Sequence, residues 1–228
     1  MAKPDSCRGR ANALTDRLLP ERELLAGGCT RIAGLDEAGR GPLAGPVVAA
    51  AVMFPVEWLG DGFPAELRDL NDSKQLTEAH REHYFAWLTS RVEVRHALAE
   101  ADATVVDRLN ILQATHRAMN DALAKLSPPP AHVLVDGLRV KSLRWAQTPL
   151  VKGDARSYSI AAASVLAKVT RDRLMRAFDR QFPGYGFAEH KGYGTPAHLA
   201  AIARLGPCPI HRRSFAPIRP TVAELALT

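Results

Sequence analysis

Apolar and polar residues form blocks along the chain, and the spacing within each block separates strands from helices. Two apolar runs, at about 31–36 and 46–54, flank a glycine-rich turn and predict a strand, a turn and a second strand. Shorter apolar runs predict further strands at about 92–99, 131–137 and 149–151. Each of the runs that begin at 31, 131 and 149 leads to an acidic residue with a glycine no more than three positions away.

Helical periodicity predicts four helices in the rest of the chain. Thr77 is placed to cap the first of them, and a run of prolines at 128–130 ends the second. The predicted helices cover about 78–90, 103–126, 158–181 and 196–205.

The pattern divides the chain into three parts. Residues 1–28 are polar with only a weak helical pattern, and we interpret them as a lead-in that is mobile or loosely docked. Residues 29–181 contain the predicted strands and the long helices and form the core. Residues 182–228 form a C-terminal part with one helix and a basic arm around 211–215.

Composition excludes several classes of protein. The chain has 228 residues, 46% of them hydrophobic and 24% charged, which is typical of one globular domain. No run of 18 apolar residues predicts a membrane span, and the N-terminus lacks the apolar core of a signal peptide. The three cysteines are widely spaced, which favours a reducing compartment and a cytoplasmic location.

The charge balance points to a polyanionic partner. The formal net charge is +6, and residues 204–219 contain four arginines and no acid. The isoelectric point is about 9.5. Basic surface beside an acidic pocket is what a metal-dependent enzyme acting on nucleic acid requires.

The acids at the strand ends are the candidate chemistry. Asp36 and Glu37 end the first run, and Asp136 and Asp154 follow later ones. Strands that share one end of a sheet would bring these acids to one edge, where a cation would offset their burial. Alternation sends Asp36 and Glu37 to opposite faces, so both reach one site only if the strand stops or bulges near Gly39. The alternative is a solvated hairpin whose acids merely cap a strand.

Two other kinds of site compete with this one. The turn after Glu37 lacks the third-glycine spacing of a dinucleotide fingerprint and has Pro42 where the helix would open. A zinc site would draw on a loose set of residues with no second cysteine pair, namely Cys208, His211, His190 and His198. Mg²⁺ fits the four acids better, because it takes oxygen ligands and needs no Cys or His.

Taken together, the motifs resemble those of the bacterial type 2 ribonucleases H over about residues 30–220. The first motif, which carries the acid pair and the glycine turn, is highly specific. The segments that carry the likeness are GLDEAGRGPLAGPV at 34–47, NDSK at 71–74, VDG at 135–137, VKGD at 151–154, the helix at 160–172, HKGY at 190–193 and HRRSF at 211–215.

This resemblance implies a fold and a reaction. The fold would be α/β, with an RNase H-like mixed sheet flanked by helices and a small C-terminal helical subdomain. The reaction would be cleavage of RNA in RNA–DNA hybrids and on the 5′ side of single ribonucleotides in duplex DNA, leaving 3′-hydroxyl and 5′-phosphate ends. It implies that two Mg²⁺ or Mn²⁺ ions are held by the catalytic carboxylates, which are Asp36, Glu37, Asp136 and Asp154.

The resemblance also implies substrate contacts. The turn formed by Gly39, Arg40 and Gly41 would contact the ribose 2′-hydroxyl, and Tyr193 would pack against the sugar at the RNA–DNA junction. The remaining candidates are polar or basic residues that flank the matched motifs, namely Lys74, Ser164, Lys168 and Arg171. The plainer alternative is a tight turn, a core tyrosine and solvated charges.

The expected partners are RNA–DNA hybrid and ribonucleotide-containing duplex DNA, with no membrane, and the protein is expected to be a monomer. Contact with a sliding clamp is not supported, since the end of the chain, TVAELALT at 221–228, lacks a Gln-led apolar motif. Two rival functions are a non-catalytic binder of hybrid duplex and an enzyme of the same fold that performs strand transfer or junction resolution on DNA alone.

Overall fold

The computed structural model describes residues 16–60 and 62–219, which form a five-stranded sheet with helices on both faces. The strand order is β3-β2-β1-β4-β5. The strands are β1 (Ile32–Ala38), β2 (Val47–Met53), β3 (Arg95–Ala101), β4 (His132–Asp136) and β5 (Ala146–Leu150). The helices are α1 (Leu19–Ala26), α2 (Val56–Leu59), α3 (Glu78–Ser90), α4 (Ala103–Leu109), α5 (Ile111–Ala124), α6 (Tyr158–Gln181), α7 (Phe187–His190) and α8 (Pro196–Leu205). The predicted α/β fold is confirmed.

The sheet is mixed, and its parallel half sets the site. Strands β1, β2 and β3 pair antiparallel, whereas β1, β4 and β5 run parallel. Leu35 of β1 is level with Val135 of β4, and Asp136 is level with Leu150 of β5. Because parallel strands end at the same edge, the residues that follow these three positions meet there.

Two long helices cover the sheet from opposite sides. Helix α6 packs so closely on β1 that a Cβ on Gly34 would lie 2.1 Å from the carbonyl carbon of Ser159. The alanines at 161–163 are fully buried and permit this approach. Helix α5 packs against β2 and β3 on the other face. The small residues at 161–163 therefore allow α6 to pack directly on the sheet.

Several predicted elements have other bounds in the structure, including the last strand, predicted at 149–151 and observed as β5 at Ala146–Leu150. The helix predicted over 103–126 is broken at Asn110, where a φ of 67° ends α4 and the side chain accepts the Gln113 amide to begin α5. A turn between Arg91 and Val94 delays the third strand. Of the stop or bulge predicted near Gly39, the structure shows the stop, because β1 pairs regularly with β2 through Ala38 and ends there. At Asn110 and in the turn between Arg91 and Val94, the local backbone conformation overrides the periodic pattern of apolar residues.

Part of the lead-in is docked. Leu18 is 4% exposed, and Glu21 is fully buried in contact with the start of α6. The Glu21 carboxylate accepts hydrogen bonds from the Ser157 and Ser159 hydroxyls at 2.6 and 2.7 Å. Residues 18 and 21 of the predicted lead-in therefore pack against the core. For residues 1–15 the interpretation of a mobile or loosely docked lead-in lies outside the described residues.

The C-terminal part packs against the glycine turn. Phe187, Tyr185 and Cys208 share an apolar cluster with Ala44 of the turn and Met175 of α6. Residues 221–228, whose sequence does not support contact with a sliding clamp, lie outside the described part of the chain. None of the helices in the described residues has the length and apolarity of a membrane span.

Candidate active site

Three carboxylates meet at the edge where the parallel strands end. Asp36 lies near the end of β1, Asp136 ends β4, and Asp154 lies in a short 3-10 turn just after β5. One oxygen of each lies within 4.8 Å of the others. Asp36 and Asp154 are only 5% and 7% exposed. The sequence prediction of convergence therefore describes the position of these three residues.

Backbone groups orient the carboxylates before any ligand binds. The amide of Gly153 donates to Asp136 Oδ1 at 2.7 Å, and the amide of Glu37 donates to Asp36 Oδ1 at the same distance. The Asp154 carbonyl accepts from an Arg17 guanidinium nitrogen at 2.6 Å, which anchors its turn from below. Preorganised oxygens of this kind are a suitable ligand set for a hard cation.

The electrostatics of the three carboxylates favour a bound cation. Burial, with Glu37 and Asp136 nearby, raises the pKa of Asp36 well above its usual range. Burial, with Asp136 and Asp72 nearby, raises the pKa of Asp154 to about 6. Desolvated like charges repel one another unless a proton or a metal ion lies between them. The donor set consists of oxygens alone, so it fits Mg²⁺ or Mn²⁺.

Glu37 lies beside this group and is not one of its three members. Strand alternation directs it away from Asp36, and it lines both the space beside α5 and the cavity that Ser164 and Lys168 of α6 also line. Its carboxylate lies 3.3 Å from Arg40 Nη1. Burial raises the pKa of Glu37, Arg40 opposes that shift, and Asp136 reinforces it, so Glu37 and Asp136 sense each other's charge. The structure thus brings three of the four predicted acids together and leaves the fourth adjacent.

The candidate substrate residues line one cavity next to Glu37. Its volume is about 440 Å³. The Tyr193 side chain is 47% exposed, and a Cβ on Gly41 would lie 3.7 Å from its Cε1 atom. The Ser164 hydroxyl is 2.9 Å from that of Ser73. All eight predicted substrate residues belong to the lining: Gly39, Arg40, Gly41, Lys74, Ser164, Lys168, Arg171 and Tyr193.

Two buried arginines hold the glycine turn from behind. Arg212 is fully buried and donates to the carbonyls of Gly39, Arg40, Pro42 and Gly45. Arg171 is 1% exposed and donates to the carbonyls of Pro46, Ala44 and Lys191 at 3.0–3.1 Å. Within the described residues, the amides of Arg40 and Gly41 have no acceptor. The turn therefore directs its carbonyls inward and keeps two amides available.

This arrangement corrects two expectations. The expected contact of Arg171 with phosphate is not supported, because its guanidinium is buried and engaged with backbone carbonyls. The basic arm does not present Arg212 to nucleic acid, because Arg212 is part of the turn's support. The physical reason is the same: a glycine-rich turn exposes carbonyls that need donors, and guanidinium supplies several. The sequence shows the two arginines, but it does not show that the carbonyls of the turn require them as hydrogen-bond donors.

Lys168 and Lys74 remain on the cavity side. The Lys168 ammonium pairs with the 5% exposed Asp172 at 2.7 Å. Lys74 is exposed. Burial lowers the pKa of Lys74, but the charges of Asp72, Asp36, Asp154 and Asp136 offset that shift, and the pKa is raised. The sequence reasoning missed Arg17, Asp72 and Asp172. The NDSK motif contained a signal for Asp72, whereas nothing near Arg17 pointed to the site.

The candidate zinc residues form a hydrogen-bonded cluster. His198 Nε2 lies 3.1 Å from His211 Nε2, and the Cys208 amide donates to His211 Nδ1 at 2.9 Å. The ring nitrogens of His190 bond to the Tyr185 carbonyl and the Gly192 amide. Among the described residues, only the three aspartates meet the geometry of a metal site. The zinc alternative is therefore not supported.

Fold and site together define a class of α/β protein whose mixed sheet carries a carboxylate cluster where its parallel strands end. Comparisons narrow that class. The family model described as Ribonuclease HII matches residues 33–218. Ribonuclease HII of Geobacter metallireducens is 54% identical over 192 residues, which cover 84% of this chain and 86% of the relative.

Solved structures agree with the sequence comparison. The ribonuclease H2 of Pyrococcus horikoshii OT3 is similar with a TM-score of 0.68 and 26% identity, covering 83% of this chain and 95% of that one. Bst-RNase HIII, solved in complex with Mn²⁺, is similar in fold with a TM-score of 0.60 and 20% identity, covering 87% and 70%. The chain belongs to the ribonuclease HII family, and as a type 2 ribonuclease H it acts on RNA paired with DNA. The acidic cluster and the shared fold support the use of a divalent metal ion.

Proposed function

We propose that this protein cleaves on the 5′ side of single ribonucleotides in duplex DNA, as well as within RNA–DNA hybrids, leaving 3′-hydroxyl and 5′-phosphate ends. The observation that carries the proposal is the meeting of three oriented carboxylates beside a cavity with free backbone amides and an exposed tyrosine. Its roles would be removal of ribonucleotides from DNA and of RNA primers.

Asp36, Asp136 and Asp154 would hold divalent ions, and Glu37, adjacent to Asp136, would complete the set. Two such ions, Mg²⁺ or Mn²⁺, lower the pKa of bound water and neutralise charge on the attacking and leaving oxygens. The protein's own contribution is to fix the oxygens in place. The Gly153 amide and the Arg17 guanidinium do this by holding Asp136 and the Asp154 turn.

Recognition of the ribose would fall to the glycine turn. The 2′-hydroxyl both donates and accepts a hydrogen bond, and it alone separates the two sugars. Arg171 and Arg212 occupy the turn's inward carbonyls, so its free amides at Arg40 and Gly41 are available to an acceptor in the cavity. Gly41 has no Cβ to keep a sugar away.

Tyr193 would sense the neighbouring sugar. Its ring stands over Gly41 and is half exposed, so a sugar lying on the turn would meet it. A deoxyribose offers an apolar C2′ edge that packs on an aromatic ring without leaving a hydroxyl unpaired. Preference for a deoxyribose at this position would make the RNA–DNA junction the favoured substrate.

Lys74, Lys168 and Ser164 would contact the phosphate backbone. All three line the cavity, and phosphate contacts of this type fix register without reading sequence. We take the acting unit to be a monomer, since the carboxylates, the turn and Tyr193 all belong to one chain. The free thiols of Cys29 and Cys208 fit action in the cytoplasm, and no clamp contact is proposed.

The test uses three duplexes with Mg²⁺ or Mn²⁺: one with a single ribonucleotide, a long RNA–DNA hybrid, and an all-DNA control. We expect cleavage of the first two, with the cut mapped to the 5′ side of the ribonucleotide, and none of the third. Cleavage of the all-DNA duplex would favour strand transfer or junction resolution. Tight binding without any cleavage would favour a non-catalytic binder.

A further inference from the structure

Two buried histidines in the C-terminal part have no place in the chemistry described above. His198 lies on α8 and His211 follows it, and their exposed fractions are 0% and 1%. Their Nε2 atoms are 3.1 Å apart. A nitrogen–nitrogen contact this short is a hydrogen bond, so one ring donates and the other accepts.

The neighbouring groups determine which nitrogen carries each proton. The Cys208 amide donates to His211 Nδ1 at 2.9 Å, so Nδ1 is unprotonated and His211 carries its proton on Nε2. His211 therefore donates to His198 Nε2, and His198 carries its proton on Nδ1. That nitrogen lies 2.9 Å from the Tyr193 carbonyl and donates to it. The Cys208 Sγ atom lies 3.1 Å from the same unprotonated Nδ1 of His211 and can act towards it only as a donor. One arrangement of neutral rings is consistent with all of these partners.

The chain of hydrogen bonds ends at Tyr193. The backbone of Tyr193 is also tied on its other side, where its amide donates to the His190 carbonyl at 2.9 Å. Its side chain, by contrast, stands in the cavity with nearly half its surface exposed. The position of the ring is therefore set from its backbone, and His198 supplies a buried contact to that backbone.

At its other end, this series of hydrogen bonds connects to the glycine turn. His211 bridges to Ala44, and the next residue, Arg212, holds the carbonyls of Gly39 and Gly45. The connection from Arg212 through the two histidines to Tyr193 is thus continuous. It joins the glycine turn and Tyr193, both of which line the same cavity.

We propose that His198 and His211 are positioning residues for sugar discrimination, which fix the Tyr193 ring relative to the glycine turn through a relay of neutral imidazoles. This inference rests on the proposed role of Tyr193 as the sensor of the neighbouring sugar. The relay acts through the Tyr193 backbone and touches no substrate atom.

The surroundings keep the relay neutral. Burial, with a smaller effect from the neighbouring His198, lowers the pKa of His211 to about 4. Burial also lowers the pKa of His198, and the ring of His190 stacks on it at 4.3 Å. A second proton on His198 would set N–H against N–H at the 3.1 Å contact, so neutral rings are required for the geometry observed.

The test is a double-mutant cycle on the duplex with a single ribonucleotide. His198→Leu removes one of the two donors to the Tyr193 carbonyl at similar volume and leaves the Thr195 amide, 2.8 Å away, as the other. We expect kcat to fall about ten- to a hundredfold while KM changes little. In the Tyr193→Ala background the same replacement is expected to cause no further loss, because the ring that it positions is gone. His198→Asn keeps an amide donor near the position of Nδ1 and is expected to restore most of kcat.

A matched control separates positioning from stability. Phe178→Leu perturbs the apolar cluster that surrounds the histidines without removing a relay group. It is expected to lower the melting temperature and leave the ratio of cleavage rates on the single-ribonucleotide duplex and the long hybrid unchanged. If His198→Leu cannot be purified, His211→Phe removes the donor to His198 and makes the same test.

The outcomes are distinguishable. Equal losses from His198→Leu in wild type and in Tyr193→Ala would overturn the relay and leave the two histidines a purely structural role. A wild-type protein that cannot cleave the single-ribonucleotide duplex would contradict the proposed function itself. Loss confined to the background that retains Tyr193 supports the relay.

Discussion

Gly39 and Gly41 lie two residues apart in one turn, yet only Gly39 requires the absence of a Cβ. Gly39 has a φ of 97°, and a Cβ there would lie 2.0 Å from Arg171 Nε and 2.7 Å from the Pro46 carbonyl oxygen. At Gly41 the nearest atom would be Tyr193 Cε1 at 3.7 Å, an ordinary contact. The first glycine therefore serves the fold, and the second keeps space in the cavity.

We expect Gly39→Ala to lower the free energy of unfolding by about 2 kcal/mol or more, because the left-handed backbone and the Arg171 contact are both disturbed. Gly41→Ala is expected to melt like wild type but to cleave a single-ribonucleotide duplex more slowly, since its methyl group enters the space proposed for the sugar. Thermal unfolding and cleavage rates of the two variants test this. Equal melting temperatures would contradict the assignment of Gly39.

Lys168 offers a second test at this scale. Its ammonium pairs with Asp172 but stays on the cavity side, so we expect a phosphate contact there. Lys168→Ala should weaken hybrid binding and flatten the dependence of log Kd on log salt by about one unit. Lys125→Ala is the matched control, because Lys125 donates to the Leu98 carbonyl and is not among the residues that line the cavity. An unchanged slope would make Lys168 a structural partner of Asp172.

Among the secondary-structure elements, the ends of the strands that carry the acids could be predicted from the sequence. The side chains that support those ends and the glycine turn could not. Apolar runs that lead to acids marked the ends of β1 and β4, and Asp36 and Asp136 meet because the structure pairs these two strands in parallel. The break at Asn110 depends on one residue adopting a positive φ, which periodicity does not register. Arg171 and Arg212 are buried because they donate to carbonyls of a turn that is distant in sequence. A single sequence does not show which residues will supply these donors.

The docking of the N-terminal segment at α1 supports the carboxylate cluster, and its consequence for catalysis can be tested. Arg17, just before this helix, donates to the carbonyls of Leu70 and Asp154 and lies over the Tyr158 ring. We expect Arg17→Met to reduce kcat severalfold, since the Asp154 carbonyl loses its hydrogen bond from Arg17. Hybrid affinity should change little, because Lys74 and Lys168 still line the cavity.

The matched control for this prediction is Arg22→Met. Arg22 also links the N-terminal segment to backbone carbonyls, but those belong to Leu59 and Gly60. Both variants are expected to lose about 1 to 2 kcal/mol of stability, as is usual for lost hydrogen bonds to a charged group. Cleavage kinetics separate them: an equal kcat for both would mean that Arg17 only stabilises the fold.

At the scale of the whole molecule, the carboxylates oppose folding until a cation binds. The pKa of Asp154 is raised to about 6 by burial, Asp136 and Asp72, so the folded state binds more protons than the unfolded state between about pH 4 and pH 6. Stability of the metal-free protein should therefore fall as pH rises through this window.

Asp154→Asn removes this contribution. In EDTA at pH 7 the variant is expected to exceed wild type by about 1 to 2 kcal/mol, with the difference shrinking as the pH is lowered towards 4. Added Mg²⁺ or Mn²⁺ should reverse the order by stabilising wild type more. Urea unfolding with and without metal checks both signs. A variant less stable than wild type in EDTA at pH 7 would contradict the repulsion described here.

The central claim is that the three aspartates form the catalytic metal centre of a ribonuclease that recognises a single ribonucleotide. In the Asp136→Asn variant the side-chain amide oxygen can still accept the Gly153 N–H, so the substitution changes the charge of the centre and keeps its backbone support. The most direct measurement is the cleavage rate of Asp136→Asn on the single-ribonucleotide duplex in Mg²⁺ or Mn²⁺, with affinity for that duplex measured alongside. We expect Asp136→Asn to lose nearly all cleavage, by about a thousandfold or more, and to bind the duplex with an affinity close to that of wild type. Cleavage at the wild-type rate would contradict it.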